Sequence, residues 1–538
     1  MLVGGTGQGA GGLRVGGLAT GIDTESLVRD MMRVHQIRVD RLKQDRQLVE
    51  WRRDAYREVT TLLRRFSDDF FSGLNPSSDI RSRGNLMAMR AISSDTSFMT
   101  VQAASEAVPG TVTIAGIDRL ATPTSVLGRI RPIASGQSID SSLEALGFAA
   151  TGTIVNFNVG GRAFSFNSTG TMRHVMNTVN ADTAAGARFF YSGIEERFII
   201  QTKNTGAATS ALTTSGAFLE NLGLAGPTQV RVNGQDASVR FGATGGGSVT
   251  VTQSTNTFTL DGITYNLARP TPTGTSLSVT VSQNTDRIVE VIKGFVERYN
   301  RALADINTKL SEQRFRNHLP LTDEQRRNMS AQQIEQWEQR ARSGLLQNNR
   351  TLQSVADALR AAVTEPFSAA GINLHEIGIT TGPHFERGRL HINETRLREA
   401  LSTRGEQITT LFTTQSAVAY SPDLTSAQRT QRTAESGIAH RVSDVLQDFA
   451  RLTRNVAGRK GTLLERAGFI GSITEFHNEL NSEIREIDTR IDSALATLER
   501  SEQRYWRQFT ALEDAIQRMN AQSAWLAQQF AAGSQQRG

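Results

Sequence analysis

The residues of this chain that could do chemistry are eight histidines, a few acidic pairs and a glycine-rich opening. Each lacks the companions its chemistry requires. His375, His384 and His391 lie near one another in sequence, but their spacing matches no metal site and no carboxylate ligands accompany them. Gly7, Gly9 and Gly12 fit G-x-G-x-x-G, yet a dinucleotide loop must follow a strand, and none can precede them so near the start. Glu195-Glu196 sits in a charged turn rather than facing a second carboxylate across a cleft. There is no Walker A lysine, no G-x-S-x-G and no H-E-x-x-H. The chain has no cysteine, which excludes disulfides, thiolate zinc sites and a cysteine nucleophile. The expectation is a protein that is not an enzyme and uses no cofactor or metal.

Composition narrows the class further. At 538 residues the chain can hold several domains, and with 38% hydrophobic but only 6% aromatic residues its cores are thin. The net charge of +6, spread over this length, is a weak signal for nucleic acid. No apolar run approaches a membrane span, and the opening MLVGGTGQGAGG lacks the pattern of a Sec-type signal peptide. No nucleic-acid partner and no membrane insertion are expected. Residues 1–21 read as a flexible terminus.

The strongest pattern is one of packing. Ile484, Ile491, Leu498, Tyr505, Leu512, Met519 and Leu526 recur every seven residues. A second row runs first through Ile473, Leu480 and Ile487, then through Leu495, Phe509 and Ile516. This is the period of a coiled coil, read over Ile473 to Phe530, and such a seam must bury against another helix. The partner lies at the other end of the chain. Val28, Leu42, Val49, Tyr56, Leu63 and Phe70 form a heptad row with His35 in the remaining slot, and Met31, Val59 and Phe66 add part of a second. Asp23 or Thr24 caps its start, and Asn75-Pro76 ends it. From Arg29 to Arg65 there are eleven Lys/Arg against six Asp/Glu, while Glu475 to Asp514 carries ten Asp/Glu against five Arg. Opposite charge favours pairing of the two ends.

Between them the character changes twice. Residues 80–283 alternate at period two, with Val155-Phe157-Val159, Phe164-Phe166 and Phe258-Leu260 as inward-facing sets and Gly160-Gly161, Asn233-Gly234 and Asp261-Gly262 as turns. One short helix is expected near Met172–Val179, and a boundary between two small domains near Pro132 and Pro227. From Asp286 the helical period returns. Thr322 with Gln325 and Ser330 with Gln333 read as capping boxes, and a helix is expected from Asn349 to about Val363. A small hairpin spans Ile377-Gly378-Ile379 and Gly388 to Ile392, residues 413–435 look like a loop, and helix resumes at Ile438. The fold class expected is α+β and multidomain: terminal helices paired as a coiled-coil stalk, a helical middle domain, and two inserted β-rich head domains. The boundaries read as 22–75 and 461–538 for the paired helices, 285–460 for the helical domain, 76–128 with 227–284 for one β domain and 129–226 for the outer one.

Several stretches resemble the flagellar filament cap, or hook-associated protein 2, family. Gly17 to Glu25 (GLATGIDTE) looks like its "GLASGLDT" opening, with Thr20 and Ile22 as conservative departures. Gly216–Leu224 and Gly234 to Ala237 look like its inserted flagellin-type segments. Phe295 to Asn300 resembles its "FVxxYN" helix, and Pro320 to Asp323 with Trp337 to Leu346 its "PLTD…WxxxAxxGLL" region. Arg389 to Glu394 and Gly461 to Gly468 are similar to its late motifs. The resemblance implies a structural cap at the distal end of the filament, outside the cell, exported by the flagellar type III route without a cleaved signal. It implies flagellin, further copies of the chain in a ring, and an export chaperone as partners. The alternative is an adhesin whose β-rich head binds host glycans or mucin. The implied assembly interface is Val28, Met31, Leu42, Val49, Tyr56 and Leu63 against Ile484, Ile491, Leu498, Tyr505, Leu512, Met519 and Leu526.

Overall fold

The computed structural model describes residues 23–535 apart from 132, 135 and 244. The glycine-rich opening and most of the GLATGIDTE motif lie outside the described residues. The chain divides into two compact units, one formed by residues up to Ser82 with Val291–Ala400 and Glu406–Gly538, the other by Arg83–Glu290 with Leu401–Gly405. Most of the helical segment 285–460 falls in the same unit as the two terminal helices, while residues 285–290 and 401–405 group with the strands.

In the helical unit, the first helix runs Thr24–Phe70 and the last Glu479–Gln535. Asp23 caps the first, its carboxylate accepting from the Ser26 backbone N–H at 2.9 Å. The helix ends at Phe70, five residues before Asn75-Pro76. The second half of this helix meets an aromatic cluster in which Phe66, Phe70 and Phe71 surround Phe295, with Phe412 on the far side. Phe295 belongs to the helix Thr285–Ser311, which also pins the small hairpin. Asn300 both accepts from the Leu390 N–H and donates to its C=O, each at 2.8 Å, and Ile379–Thr381 pairs antiparallel with Leu390–Ile392.

Both capping boxes are formed, at Thr322/Gln325 and Ser330/Gln333. A third is present as well. Residues 413–435, expected to be loop, contain the helix Ser426–Glu435, opened by a capping box between Thr425 and Gln428. Threonine and glutamine lowered the apparent hydrophobicity of this stretch. The helix is held instead by Arg432, 4% exposed, which is clamped by two bonds to Asp444 on Ile438–Ala450 at 2.5 and 2.8 Å.

Beside this pair His440 is mostly buried, and burial, with Arg81 and Arg432 nearby, pushes its pKa down to about 4 against the opposing pull of Asp79 and the Thr413 backbone. The folded state therefore favours neutral imidazole. Stability is complete above the ordinary value of about 6.5 and is lost as pH falls from there toward 4. Thermal melts should show His440→Gln losing less stability than the native chain between pH 7 and 4.5. Equal slopes would mean the imidazole takes no part.

The β unit has two cores. A five-stranded antiparallel sheet, in the order Met89–Ser93, Leu277–Gln283, Gly110–Arg119, Ala237–Gly242, Ser248–Gln253, and a three-stranded sheet of Thr257–Leu260, Ile263–Leu267 and Met99–Ala103 enclose the first. Its centre includes Met99, Ile117, Val239, Phe241, Tyr265 and Val279. The second core is built from Arg162–Asn167 on Ile154–Val159, a four-stranded sheet and the helix Met172–Ala181. Phe157 stacks there between Phe164, Phe166 and Phe218.

Gly160-Gly161 and Asp261-Gly262 are turns with positive φ at both residues, as hairpins with primed turns require. Asn233-Gly234 is different. It joins Val230–Val232 of one sheet to Ala237–Gly242 of another, and its Gly234 N–H donates to the buried Thr124 hydroxyl at 2.8 Å. The chain crosses between the two cores at Thr122–Thr124 and at Asn233–Gln235, where Thr122 bridges Gln235. Those crossings, not the neighbourhoods of Pro132 and Pro227, mark the division; Pro132 itself lies outside the described residues.

Candidate assembly interface

The two terminal helices pack antiparallel. Arg46 Nε donates to Asp488 Oδ1 at 2.5 Å and Arg53 Nη1 to Asn481 Oδ1 at 3.1 Å, so as one helix rises the other falls. One row of buried and half-buried positions along Thr24–Phe70 runs through Val28, Met32, His35, Val39, Leu42, Arg46, Val49, Arg53, Tyr56, Thr60, Leu63, Ser67 and Phe70, with Trp51, Val59 and Phe66 buried beside it. The row alternates four and three apart without a break. Val28, Val49, Tyr56 and Leu63 are 4% exposed or less. Leu42 is half-buried.

The companion row is Met32, Val39, Arg46 and Arg53, not Met31, Val59 and Phe66. Met31 is half-buried, Val59 is buried, and Phe66 is buried where the helix meets the aromatic cluster. Two arginines hid this row, because charge in a helix reads as a solvated face. Their stems lie along the seam and their guanidinium groups reach across it. Burial lowers the Arg46 pKa, but Asp488 and Glu50 outweigh it and leave the value raised. At 36% and 42% side-chain exposure the Arg46–Asp488 pair is worth at most about 1 kcal/mol, so its role is register rather than strength.

On the last helix Leu480, Ile484, Ile487 and Ile491 are buried. The helix begins at Glu479, where Asn478 Oδ1 accepts from the Asn481 N–H at 2.9 Å. Ile473 is therefore not in the seam: it is 70% exposed in a one-turn 3₁₀ segment, Ile473–Glu475, between the tight approach at Gly468 and Asn478. Beyond Ile491 the second row continues through Ala494 and Ser501, while Leu495 is 41% exposed. The residues that continue this row, Ala494 and Ser501, are small.

Leu498 and Tyr505 are half-buried. Leu512, Met519 and Leu526 are exposed by 47%, 64% and 44%, with Trp525 at 55% beside them. Extending the register of Arg46 and Arg53 places Thr24 opposite about residue 510, so the last helix runs on past the described start of the first. Among the described residues nothing covers that apolar row. The first helix is also tied to its own unit by Lys43 with Asp323 at 3.1 Å, Gln44 with the Pro320 C=O at 2.7 Å, and Tyr56, whose hydroxyl accepts from Asn349 at 2.7 Å.

His391 meets Glu386 at 2.5 Å. Among the described residues no three His, Cys, Asp or Glu side chains gather as a metal set, and no helix is long and apolar enough to cross a membrane.

Family models described as "Flagellar hook-associated protein 2 C-terminus" and "Flagellar hook-associated protein 2 N-terminus" match residues 234–521 and 20–124. The chain belongs to the flagellar hook-associated protein 2 family. It is 30% identical to the family member of Halalkalibacterium halodurans, over 96% of this chain and all of that one. It is 23% identical to that of Thermotoga maritima, over 96% of both. The fold is similar to the D1-D2-D3 domains of the flagellar cap protein FliD from Escherichia coli, with a TM-score of 0.51 and 18% identity over 74% of this chain and 96% of that one. Members of this family are structural proteins that cap the filament and oligomerise.

Proposed function

We propose that this protein, a cap at the distal tip of the flagellar filament, assembles through its terminal helices and retains flagellin there for insertion. The observation that carries this reading is the open row Leu512, Met519 and Leu526, which repeats the heptad of the buried row but has no cover among the described residues. A helix so built is completed by another helix, and flagellin arriving at the tip is the partner it awaits. Copies of the chain form a ring there, and before export a chaperone shields the same apolar rows. Residues Val28, Leu42, Val49, Tyr56, Leu63, Ile484, Ile491, Leu498 and Tyr505 act by holding the pair closed, and the distal Leu512, Met519 and Leu526 by making contact. Nothing favours the adhesin alternative.

Deleting the gene in its host should leave unpolymerised flagellin in the medium and short or absent filaments. Restoring the full chain should correct this, and a chain shortened after Thr510 should not. Normal filaments in the deletion strain would remove the cap reading. Normal filaments with the shortened chain would remove only the role given to the overhanging row.

A further inference from the structure

Large apolar side chains left in water mark a docking surface when they gather and are held still. Among the described residues most such side chains stand singly in connections, as Leu74, Val108, Ile194, Phe385 and Val456 do, or lie along helices and strands. The connection between Thr462–Ala467 and Glu479–Gln535 is different. It exposes Ile470, Ile473 and Phe476 by 63%, 70% and 67%. In a 3₁₀ turn residues three apart eclipse, so Ile473 and Phe476 stand on one side while Thr474 is buried.

The connection is held at both ends. The Ser472 hydroxyl donates to the Phe469 C=O at 2.9 Å, and the Gly471 N–H donates to the Glu475 carboxylate at 2.8 Å. Arg57 donates to the C=O groups of Ala467 and Glu475, each at 2.9 Å, and so ties the segment to the first helix. An apolar patch fixed in this way docks with little ordering cost.

The same unit carries a cleft that suits the patch. A cavity of about 510 Å³ is lined by Phe367, Leu374, Ile379, Leu390, Leu411 and Ile438, with Glu365 exposed at its rim. Patch and cleft lie at opposite ends of the antiparallel helices Arg350–Thr364 and Ile438–Ala450. Thr364 and Ile438 line the cleft, whereas Thr351 and Asp448 share a pocket with Arg466 and Glu479, the ion pair that brackets the patch. From Thr351 to Thr364 the helix rises roughly 20 Å, so a chain cannot fill its own cleft.

We propose that Ile470, Ile473 and Phe476 of one copy enter this cleft on the next copy. The matching surface belongs to this chain, which selects a second copy as the occupant. Charge agrees with that choice. Arg485 flanks the patch, its guanidinium bonded to the Phe476 C=O at 3.2 Å and the Ser482 hydroxyl at 2.8 Å rather than to a carboxylate. Glu365 supplies a carboxylate at the cleft. Because the two surfaces differ, every copy offers both, and repeating the contact builds a ring where its rotation closes. The contact deepens the ring reading above and rests on it.

The absence of cysteine makes the test direct. Full-length Arg485→Cys mixed with a size-tagged Glu365→Cys should form the mixed disulfide under mild oxidation roughly tenfold faster than either forms with itself. Adding Ile473→Asp and Phe476→Asp to the Arg485→Cys chain should return the mixed rate to the self rate. Both positions are exposed, so circular dichroism should not change. In sedimentation the native chain should form higher oligomers, and the chain with both aspartates should not. Equal mixed and self rates would overturn the contact, as would native oligomers that persist with both aspartates. Loss of flagellin retention with those oligomers intact would make the patch a flagellin site instead. A native chain that stays monomeric at every concentration would overturn the ring reading together with the contact.

Discussion

Replacing Ile487 and Ile491 together by aspartate should open the terminal helix pair and leave the host with free flagellin in its medium. Both side chains are 8% exposed or less and flank the Arg46–Asp488 bridge that sets the register. Burying a carboxylate there without a partner costs several kcal/mol, and the lost apolar contacts add about 2–5 kcal/mol for each site. The helix avoids that by separating, since aspartate in water is undemanding. Neither residue belongs to the two cores of the β unit, so strand signals in circular dichroism should persist while helical signal and resistance to proteolysis within Thr24–Phe70 fall. Leu495→Asp, at a position 41% exposed on the same helix, is the control and should cap normally. If the double variant melts and caps as the native chain does, the seam has no part in function.

Arg432→Ala should destabilise the helical unit by about 3–5 kcal/mol. Arg432 donates to both oxygens of Asp444 and to the Val418 C=O at 2.5 Å, tying the loop before Ser426–Glu435 to the helix after it. Its loss strands Asp444, whose pKa is already raised because burial outweighs the two bonds it accepts. A buried pair of this kind is costly to break but not strongly stabilising when whole. Leucine at both 432 and 444 should therefore recover most of the stability lost by Arg432→Ala. Denaturant melts of the three variants decide the matter: a double variant as weak as the single would show that the ion pair itself is the source of stability.

Period and composition made the α+β, multidomain class legible, with helices at both ends and strands between. Those signals survive because a helix must bury one stripe and a strand one face wherever they pack. Capping boxes were equally readable at Thr322 and Ser330, since both partners lie within four residues. The box at Thr425 has the same form, but its helix is polar and is held by one buried arginine rather than by an apolar stripe, so period does not mark it.

The rest was decided by tertiary structure. Which row accompanies Val28 and Val49 could not be read, because Arg46 and Arg53 count as surface until Asp488 and Asn481 are brought opposite them. The seam read from Ile473 to Phe530 was too long at its start, where Gly468 makes a close turn and Asn478 opens the helix, and too uniform after Ile491, where small Ala494 and Ser501 replace large residues. Heptad period is a local property and tells only that a stripe wants cover. Whether Leu512, Met519 and Leu526 receive it depends on where an antiparallel partner begins, and that is fixed by contacts more than four hundred residues apart in the chain.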